Sequence, residues 1–253
     1  MNYSEELNVS KQAAHKAAAI IRDFRINRSF EIELKGKNDL VTDADIASEN
    51  KILETIKEVF PEDQFLAEES NNYTELPSGR IWIIDPIDGT SNFAKSKDRF
   101  AVMVSLTKNK QIIQSFIYKP IGEDFMFADK TGTFFNDKKI QLSVNTTIEN
   151  SIGSISAKYW EENQKEKIFA IKDKFNDINS YGSIGCEYFD IVLEKRDFTL
   201  LSRLYPWDHI PGLFIVRQAG GHDCHFDKLE YKFYENSKNL VVSGSKKLSY
   251  AIL

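Results

Sequence analysis

A short apolar run that ends in two carboxylates constrains this chain more than any other stretch. Residues 81–84 (IWII) are apolar and mostly β-branched, which is typical of a buried strand. Asp85 and Asp88 follow at once, separated by Pro86 and Ile87. Proline fixes its own φ and favours an extended conformation at the preceding residue. The sequence therefore predicts two carboxylates at the tip of a strand.

The residues after the second carboxylate predict an anion site beside it. Gly89 allows the backbone to approach a ligand closely. Thr90 or Ser91 can cap a following helix, whose free N–H groups would face whatever the carboxylates hold. Carboxylates beside amide donors suit a hard cation and a phosphate together. The alternative is an acidic surface turn, which does not require a buried strand before it.

Composition limits the classes of protein that the chain can belong to. Its 253 residues are enough for one large domain or two closely packed halves. A net charge of −5 argues against broad nucleic-acid binding, which requires a basic face. Cys186 and Cys224 are the only cysteines, so there is no disulfide framework. No signal-peptide layout or membrane-length apolar run is visible, and we expect a cytoplasmic protein without membrane contact.

Periodicity predicts a mixture of helices and strands along the chain. Apolar residues at helical spacing predict one helix over 7–28 and another that begins after Thr42 and ends at Pro61. Apolar runs separated by turn residues predict antiparallel strands over 100–136. After about residue 145 strands and helices alternate, which favours an α/β layer. There we predict a strand over 179–183 and helices over 187–194 and 210–219.

Four acidic residues follow apolar runs in separate parts of the chain: Glu68, Asp85, Asp88 and Asp208. Two unit charges about 4 Å apart repel by roughly 4 kcal/mol at an effective dielectric near 20. Such a cluster therefore either does not form or holds cations, and oxygen ligands favour Mg²⁺, Mn²⁺ or Ca²⁺ over zinc. A cation site joined to an anion site is what phosphoryl hydrolysis requires.

Four separated motifs carry a resemblance to a known family. They are DLVTDAD, LAEES, DPIDGTSNF and PWDHIPGLFIVRQAGG, and they span nearly the whole chain. The third and fourth closely resemble the two signatures of the inositol monophosphatase family of magnesium-dependent phosphatases, and all four stand in that family's order. The resemblance implies a layered αβαβα sugar-phosphatase fold with an α+β half over 1–144 and an α/β half over 145–253. The metals would lie in the cleft between the halves.

The resemblance also implies roles for individual residues. It implies two or three bound Mg²⁺ ions, with Mn²⁺ possible, and inhibition by Li⁺. It also implies a homodimer that hydrolyses a small phosphate monoester with a metal-activated water. In the family's pattern a first metal would be held by Glu68, Asp85 and the carbonyl of Ile87. A second metal would be held by Asp85, Asp88 and Asp208. The implied catalytic residues are Asp45, Glu68 and Thr90, of which Asp45 and Thr90 position the water, and the implied phosphate clamp is the amides of Gly89 and Thr90.

Three further positions bear on the substrate. Relatives often carry a glutamate that contacts the inositol ring where this chain has Leu201, counted back from Asp208. A leucine cannot accept a hydrogen bond from a hydroxyl, which argues against myo-inositol phosphate as the natural substrate. Glu187 can contact a substrate hydroxyl or amine, or it is a solvated or salt-bridged helix residue. Arg203 can reach a second phosphate or a carboxylate, or it is a surface arginine.

Other readings of the sequence stay open. Within the family, the substrate can be a phosphorylated polyol or sugar, histidinol phosphate or 3′-phosphoadenosine 5′-phosphate. The chain can also be a non-catalytic regulatory or binding module on the same fold, although every expected metal carboxylate is present. The segment with His222, Cys224 and His225 looks like a soft-metal site, but it has no second ligand pair. Cys186 has no evident histidine partner for nucleophilic catalysis.

Overall fold

The computed structural model describes residues 4–27, 30–36, 39–70, 78–143, 146–156, 160–235 and 238–253. Within these ranges the helices are α1 (Glu5–Asn27), α2 (Asp43–Lys57), α3 (Thr90–Ala94), α4 (Glu162–Phe169), α5 (Ile184–Val192), α6 (Pro206–Gln218) and α7 (Lys246–Ile252). The first strands are β1 (Ile32–Gly36), β2 (Asp39–Thr42), β3 (Gln64–Ala67), β4 (Arg80–Asp88), β5 (Ala101–Lys108), β6 (Gln111–Tyr118) and β7 (Phe125–Asp129). The later strands are β8 (Gly132–Phe135), β9 (Lys138–Ile140), β10 (Ile152–Ser156), β11 (Asp177–Ile178), β12 (Phe198–Leu201), β13 (His222–His225) and β14 (Leu240–Ser243).

The larger sheet has seven strands in the order β3-β4-β5-β6-β7-β8-β9. Strand β4 runs parallel to β3 and antiparallel to β5, and both of its faces are buried. Successive side chains of a strand point to opposite faces. Trp82 and Ile84 therefore pack against one hydrophobic cluster, whereas Ile81 and Ile83 pack against another. The apolar run that the sequence shows at 81–84 is explained by this double burial.

Helices cover both faces of the larger sheet. On one face, the small side chains of α1, among them Ala13 and Ala17, allow this helix to pack closely together with α2. On the other face lie α5 and α6. Gly212 of α6 lies so close to α5 that an added Cβ would stand 1.7 Å from the Tyr188 ring. Only glycine permits this approach of the two helices.

The second sheet completes a five-layer arrangement. Its five strands have the order β11-β10-β12-β14-β13, and β10 runs parallel to both β11 and β12. Helix α6 contacts strands of both sheets, so α5 and α6 form the central layer. Helix α7 and the buried side chains of Trp160 and Ile168 cover the outer face of the second sheet. The layers therefore follow the order αβαβα, which confirms the expected fold class.

Four predicted boundaries differ from the observed elements. Helix α2 ends at Lys57 rather than at Pro61, and helical geometry is disfavoured just before a proline. The segment 179–183 is not a strand, because the pairing of β11 ends at Ile178. Helix α5 begins at Ile184 rather than near residue 187, because Ser183 caps it by accepting the N–H of Cys186. Helix α6 begins at Pro206 rather than at residue 210, because proline is well suited to the first helical position.

Two statements about the chain as a whole complete the fold. Among the helices of the described ranges, none combines the length and the apolar character that crossing a lipid bilayer requires. The division into halves at residues 144 and 145 stays a prediction, and those two residues lie outside the described part of the chain.

Candidate functional site

A bulge in β4 presents the two aspartates of the central motif. The strand does not end before Asp85, as the sequence suggested, but continues through Asp88. Asp85 pairs with Met103 and Asp88 with Ala101, so β4 carries one more residue than β5 between the two pairs. Because Pro86 lacks an N–H, it cannot donate to the ladder, and the bulge accommodates it. Both carboxylates thus lie at the same end of the sheet.

Glu68 lies beside these aspartates because β3 runs parallel to β4 and ends level with Ile84, one residue before Asp85. Ala67 is the register partner of Ile84, and the N–H of Glu68 donates to the carbonyl of Ile84 at 3.1 Å. Asp208 is brought to the same place by the first turn of α6. The fold therefore gathers the four acidic residues singled out in the sequence.

Asp85 lies in an electrostatically unfavourable place for an ionised carboxylate. It is 1% exposed, and its pKa is raised well above the ordinary value of 3.8 by burial and then by the charges of Glu68, Asp88, Asp208 and Asp45. Its Oδ1 atom is buried and has no hydrogen-bond partner among the described residues. A buried carboxylate oxygen without a donor is costly, and a bound cation would relieve that cost.

Asp88 differs from Asp85 because the protein supplies it with donors. Its carboxylate accepts hydrogen bonds from the Ser183 hydroxyl, from the N–H of Ile184 at 3.0 Å and from the N–H of Gly185 at 2.7 Å. Burial nevertheless raises its pKa from 3.8 to about 6. Sequence analysis missed this contact between β4 and the first turn of α5. The local signal was only a serine placed to cap a helix.

The donor set of the site fits a hard divalent cation. All candidate side-chain ligands are carboxylates, which Mg²⁺ prefers, and Asp85 has an oxygen left without a partner. As the side chains stand, no three or more His, Cys, Asp or Glu residues of the described ranges are grouped so as to hold a metal ion. Asp88 instead accepts hydrogen bonds from the start of α5.

The turn after Asp88 has the tight geometry that the sequence predicted. Gly89 has a φ of 95°, a left-handed conformation that favours glycine. It caps α3 instead of the predicted Thr90 or Ser91, because the helix already begins at Thr90. An added Cβ would meet the Ser183 Cβ atom at 3.0 Å and the carbonyls of Arg99 and Gly182 at 3.1 Å. The carbonyl of Gly89 accepts the N–H of Asn92 at 2.8 Å. The turn is thus enclosed by the segment that precedes α5.

Thr90 links this turn to helix α2. Its hydroxyl lies 2.8 Å from Asp45 Oδ1 and 3.1 Å from the carbonyl oxygen of Ile87. The other oxygen of Asp45 accepts the N–H of Thr42 at 2.9 Å, as expected for an acidic residue in the first turn of a capped helix. Asp45 is fully buried. The Thr90–Asp45 pair that the family resemblance suggested is therefore in hydrogen-bond contact.

These residues border a cavity of about 540 Å³ between the larger sheet and the elements that follow residue 145. Its size lies within the usual range for small-molecule sites. The polar lining includes Lys95, Ser91, Ser156, Ser180 and Ser183, and the apolar lining includes Leu34, Leu40, Ile184 and Leu201. Lys95, Ser156 and Ser180 were not singled out in the sequence, where nothing marks exposed polar residues as neighbours of a distant motif.

Glu187 lines the cavity but is neither solvated nor salt-bridged, so the alternative offered from the sequence is wrong. It is 3% exposed. One carboxylate oxygen accepts from the Ser180 hydroxyl at 3.0 Å and the Tyr181 N–H at 2.9 Å. The other accepts from the hydroxyls of Ser154 and, at 3.2 Å, Thr199. Two of the four donors come from the segment before α5, and the other two come from β10 and β12.

The segment 179–183 is held by side chains on both sides. Asn92 donates to the carbonyl of Tyr181 at 2.8 Å, and Arg196 donates to the carbonyl of Asn179 at 2.7 Å. The guanidinium of Arg196 also lies 4.0 Å from the centre of the Tyr181 ring, although this arginine is almost fully buried. This segment leads directly into Ser183, so its position fixes the donors that reach Asp88.

Leu201 and Arg203 lie on the wall of the cavity formed by the end of β12. Leu201 is buried and lines the cavity. Arg203 also lines the cavity, and its guanidinium stacks over the Tyr205 ring with 4.0 Å between the Arg203 Cζ atom and the ring centre. The arginine is half-buried rather than fully exposed, which does not fit an ordinary surface residue.

The histidines and cysteines of the chain are placed apart from this cavity or within the core. His222 contacts the Ser249 hydroxyl at 3.0 Å, and Cys224 is buried, which raises its pKa to about 11. Burial likewise raises the pKa of Cys186 to about 12. A thiol with so high a pKa is a poor nucleophile near neutral pH. The cysteines are therefore packing residues.

Comparison with known proteins agrees with the fold and the motifs. The sequence profile of the inositol monophosphatase family matches residues 2–253. An inositol-1-monophosphatase of Bacillus subtilis is 29% identical over 250 residues, which cover 96% of this chain and 94% of that protein. A fructose-1,6-bisphosphatase/inositol-1-monophosphatase of Thermotoga maritima is 29% identical over 210 residues, which cover 83% and 79%.

A solved structure supports the same relationship. The Thermotoga maritima IMPase has a TM-score of 0.86 and 27% identity to this chain, and the match covers 98% of this chain and 95% of that one. The resemblance seen in the four motifs is thereby confirmed. The chain belongs to the inositol monophosphatase family, a family of phosphatases.

Proposed function

We propose that the protein hydrolyses a small phosphate monoester in a Mg²⁺-dependent reaction. The observation that carries this proposal is Asp85, a buried carboxylate among four others whose Oδ1 atom has no hydrogen-bond partner in the described structure. A cation beside it would stabilise the ionised cluster, and the neighbouring amides of the Gly89 turn would face a phosphate. Cation and anion sites in contact are the requirement for phosphoryl transfer to water.

In this proposal the carboxylates divide between two ions. Glu68, Asp85 and the Ile87 carbonyl would hold the first, and Asp85 would share the second with Asp88 and Asp208. When bound, Mg²⁺ lowers the pKa of water and stabilises charge on the phosphoryl and leaving oxygens. The main task of the protein is then to hold the acidic side chains at one end of the cavity.

Asp45 and Thr90 would orient the attacking water. The Thr90 hydroxyl has one hydrogen, which it can donate to Asp45 or to the carbonyl of Ile87. Its lone pairs would then accept a hydrogen bond from the attacking water and orient that water. Asp45 is itself held in place by the N–H of Thr42. The amides of Gly89 and Thr90 would donate to the phosphate, and no covalent phosphoenzyme is required.

The substrate of this chain is proposed from its relatives and from the cavity. Relatives are named for inositol 1-phosphate and fructose 1,6-bisphosphate, which favours a phosphorylated polyol or sugar. Because Leu201 stands at the end of β12, this position offers no carboxylate to accept hydrogen bonds from a substrate. This argues against a polyol ring that is recognised only through its hydroxyl groups. Histidinol phosphate and 3′-phosphoadenosine 5′-phosphate are the alternatives within the family.

Phosphate release from a panel of monophosphates tests the proposal. The purified protein is assayed with Mg²⁺, with Mn²⁺ and with EDTA, and the panel includes polyol, sugar, histidinol and nucleotide esters. We expect release that requires a divalent ion and favours one class of ester. Absence of release from every ester by folded, Mg²⁺-bound protein would favour a binding module on the same fold.

Three finer expectations follow from the family and belong to the same proposal. Inhibition by Li⁺ is measured in the same assay, the number of bound ions by titration calorimetry, and the homodimer by light scattering. A cytoplasmic location stays a prediction from the sequence, tested by fractionation of cells that express the full chain. None of these results changes the test of the phosphatase reaction itself.

A further inference from the structure

The carboxylates that line the cavity fall into two groups. Among the described lining residues, Glu68, Asp85, Asp88 and Asp208 form the proposed metal end, and Glu187 is the one other carboxylate. A carboxylate has about four lone-pair sites, and four protein donors already surround that of Glu187. It therefore has little capacity left to accept hydrogen bonds from substrate hydroxyls.

The apolar part of the lining does not replace this capacity. Leu201 and Ile184 present apolar surface to the cavity, and Leu34 and Leu40 of the β1–β2 hairpin add more. A neutral polyol needs acceptors for its hydroxyl hydrogens, because each buried hydroxyl without a partner costs binding energy. Apolar side chains supply none, so the acceptors that the rest of the described lining offers to a polyol are neutral hydroxyls of serine and threonine.

The same cavity contains two side chains that can only donate. Arg203 lies on the wall next to Leu201, with its guanidinium held flat against Tyr205. Lys95 follows α3 as its C-cap and is exposed, and its ammonium group has no hydrogen bond or ion pair with another residue in the described part of the chain. Arginine and lysine offer donors and no acceptor, so a substrate group that meets them must accept. Charge-assisted bonds to an anion are the strong case.

We propose that the site takes a phosphate monoester whose organic part carries a second anionic group, a phosphate or a carboxylate, which Arg203 binds with support from Lys95. This inference rests on the proposed phosphatase function and names its substrate class. Arg203 is the residue that determines specificity, because the stacked guanidinium presents a planar fork suited to two anion oxygens. Lys95 contributes as a point charge at the rim.

Matched pairs of esters test the proposal. Glycerol 1-phosphate is compared with 3-phosphoglycerate, which adds a carboxylate, and fructose 1-phosphate with fructose 1,6-bisphosphate, which adds a phosphate. For the wild-type protein with Mg²⁺ we expect kcat/KM to favour the doubly anionic member of at least one pair by about 10-fold or more. The pair that shows the preference identifies the anion as carboxylate or phosphate.

Variants then locate the effect. Arg203→Met is expected to lower that preference by about 10-fold or more, and Arg203→Lys by less, because lysine keeps the charge without the fork. Lys95→Met is expected to lower it by only about 3-fold, since the lysine is exposed. Lys97→Met removes the same charge from a residue that does not line the cavity, and it serves as the matched control.

The outcomes separate this inference from the proposed function. Hydrolysis of p-nitrophenyl phosphate that requires Mg²⁺ supports the function alone. If that hydrolysis occurs while the wild type favours the singly anionic member of both pairs, the second-anion site is wrong. It is equally wrong if Arg203→Met leaves the preference as unchanged as Lys97→Met does. No metal-dependent hydrolysis of any ester contradicts both proposals.

Discussion

Two buried carboxylates on the same cavity, Asp85 and Glu187, are stabilised in opposite ways. Glu187 lies in α5 and accepts four hydrogen bonds from the protein. Asp85 lies in β4, is surrounded by other carboxylates, and has an oxygen without any partner in the described structure. Two equally buried carboxylates can therefore have different roles. A carboxylate supplied with donors holds structure, whereas one left without them suits a cation.

Asp88 connects the two regions. It belongs to the acidic cluster, yet it accepts three hydrogen bonds from the start of α5. Glu187 anchors Ser180 and Tyr181 just before that start. The acidic end of the cavity is therefore positioned in part by the segment that Glu187 holds in place. Substitutions at each carboxylate should separate these contributions.

Asp85→Asn should have the largest effect on activity. The substitution removes a shared ligand charge, and we expect kcat/KM with Mg²⁺ to fall by more than about 100-fold, beyond the loss typical of outer-shell partners. Without metal the variant should be more stable than the wild type, because one repelling buried charge is gone. Steady-state kinetics and urea unfolding measure both effects. Asp173→Asn, at an exposed position, is the control, and full activity of Asp85→Asn would contradict the metal assignment.

Glu187→Leu should affect stability first and activity second. The buried N–H of Tyr181 and the hydroxyls around it would lose their acceptor, at a cost of about 2–4 kcal/mol. Displacement of the segment before α5 should lower kcat/KM by about 10-fold or more. Glu187→Gln keeps one carbonyl acceptor for Tyr181 and should be much closer to the wild type. Equal stability of the Leu and Gln variants in urea would show that Glu187 does not anchor the segment.

Asp88 should make the stability of the metal-free protein depend on pH. Its pKa is raised from 3.8 to about 6, so the folded state binds the proton more tightly than the unfolded state. The resulting stabilisation is complete below about pH 4 and is lost as pH rises through about 6, and it amounts to about 3 kcal/mol. Mg²⁺ affinity should rise over the same range, because ligands must be ionised.

Urea unfolding of metal-free wild type and Asp88→Asn across pH 4–8 isolates this effect from other titrating groups. The difference in unfolding free energy between the two proteins should change with pH in the stated direction. A difference that stays constant would mean that Asp88 has an ordinary pKa in the folded protein. Calorimetric Mg²⁺ titration at several pH values provides the second measurement.

Two serine variants give the smallest and most specific effects. Ser183→Ala removes a hydroxyl donor of Asp88 and the cap of α5, so it should cost about 1 kcal/mol and move the pH dependence of Mg²⁺ binding upwards. Ser180→Ala removes a donor of Glu187 and should cost no more than about 1 kcal/mol without moving that pH dependence. The same pH shift in both variants would mean that the two regions are not separable.

Much of the site could be predicted from sequence because its signals are local. The run 81–84, Pro86 and Gly89 specify a strand that ends in carboxylates and a tight turn, whatever lies around them. Thr42 and Asp45 specify a capped helix in the same way. The four motifs also identified the family, and with it the layered fold.

The tertiary structure alone decided which groups satisfy the buried carboxylates. Ser183 reaches Asp88 across 95 positions of sequence, and Ser154 reaches Glu187 across 33. A sequence shows that a glutamate lies on a helix, but not that strands from another layer surround it with donors. Hydrogen bonds between distant segments depend on how the layers pack, and packing depends on the whole chain at once. For that reason the sequence offered Glu187 as a substrate contact or as a solvated or salt-bridged residue, whereas in the structure it is buried among four protein donors.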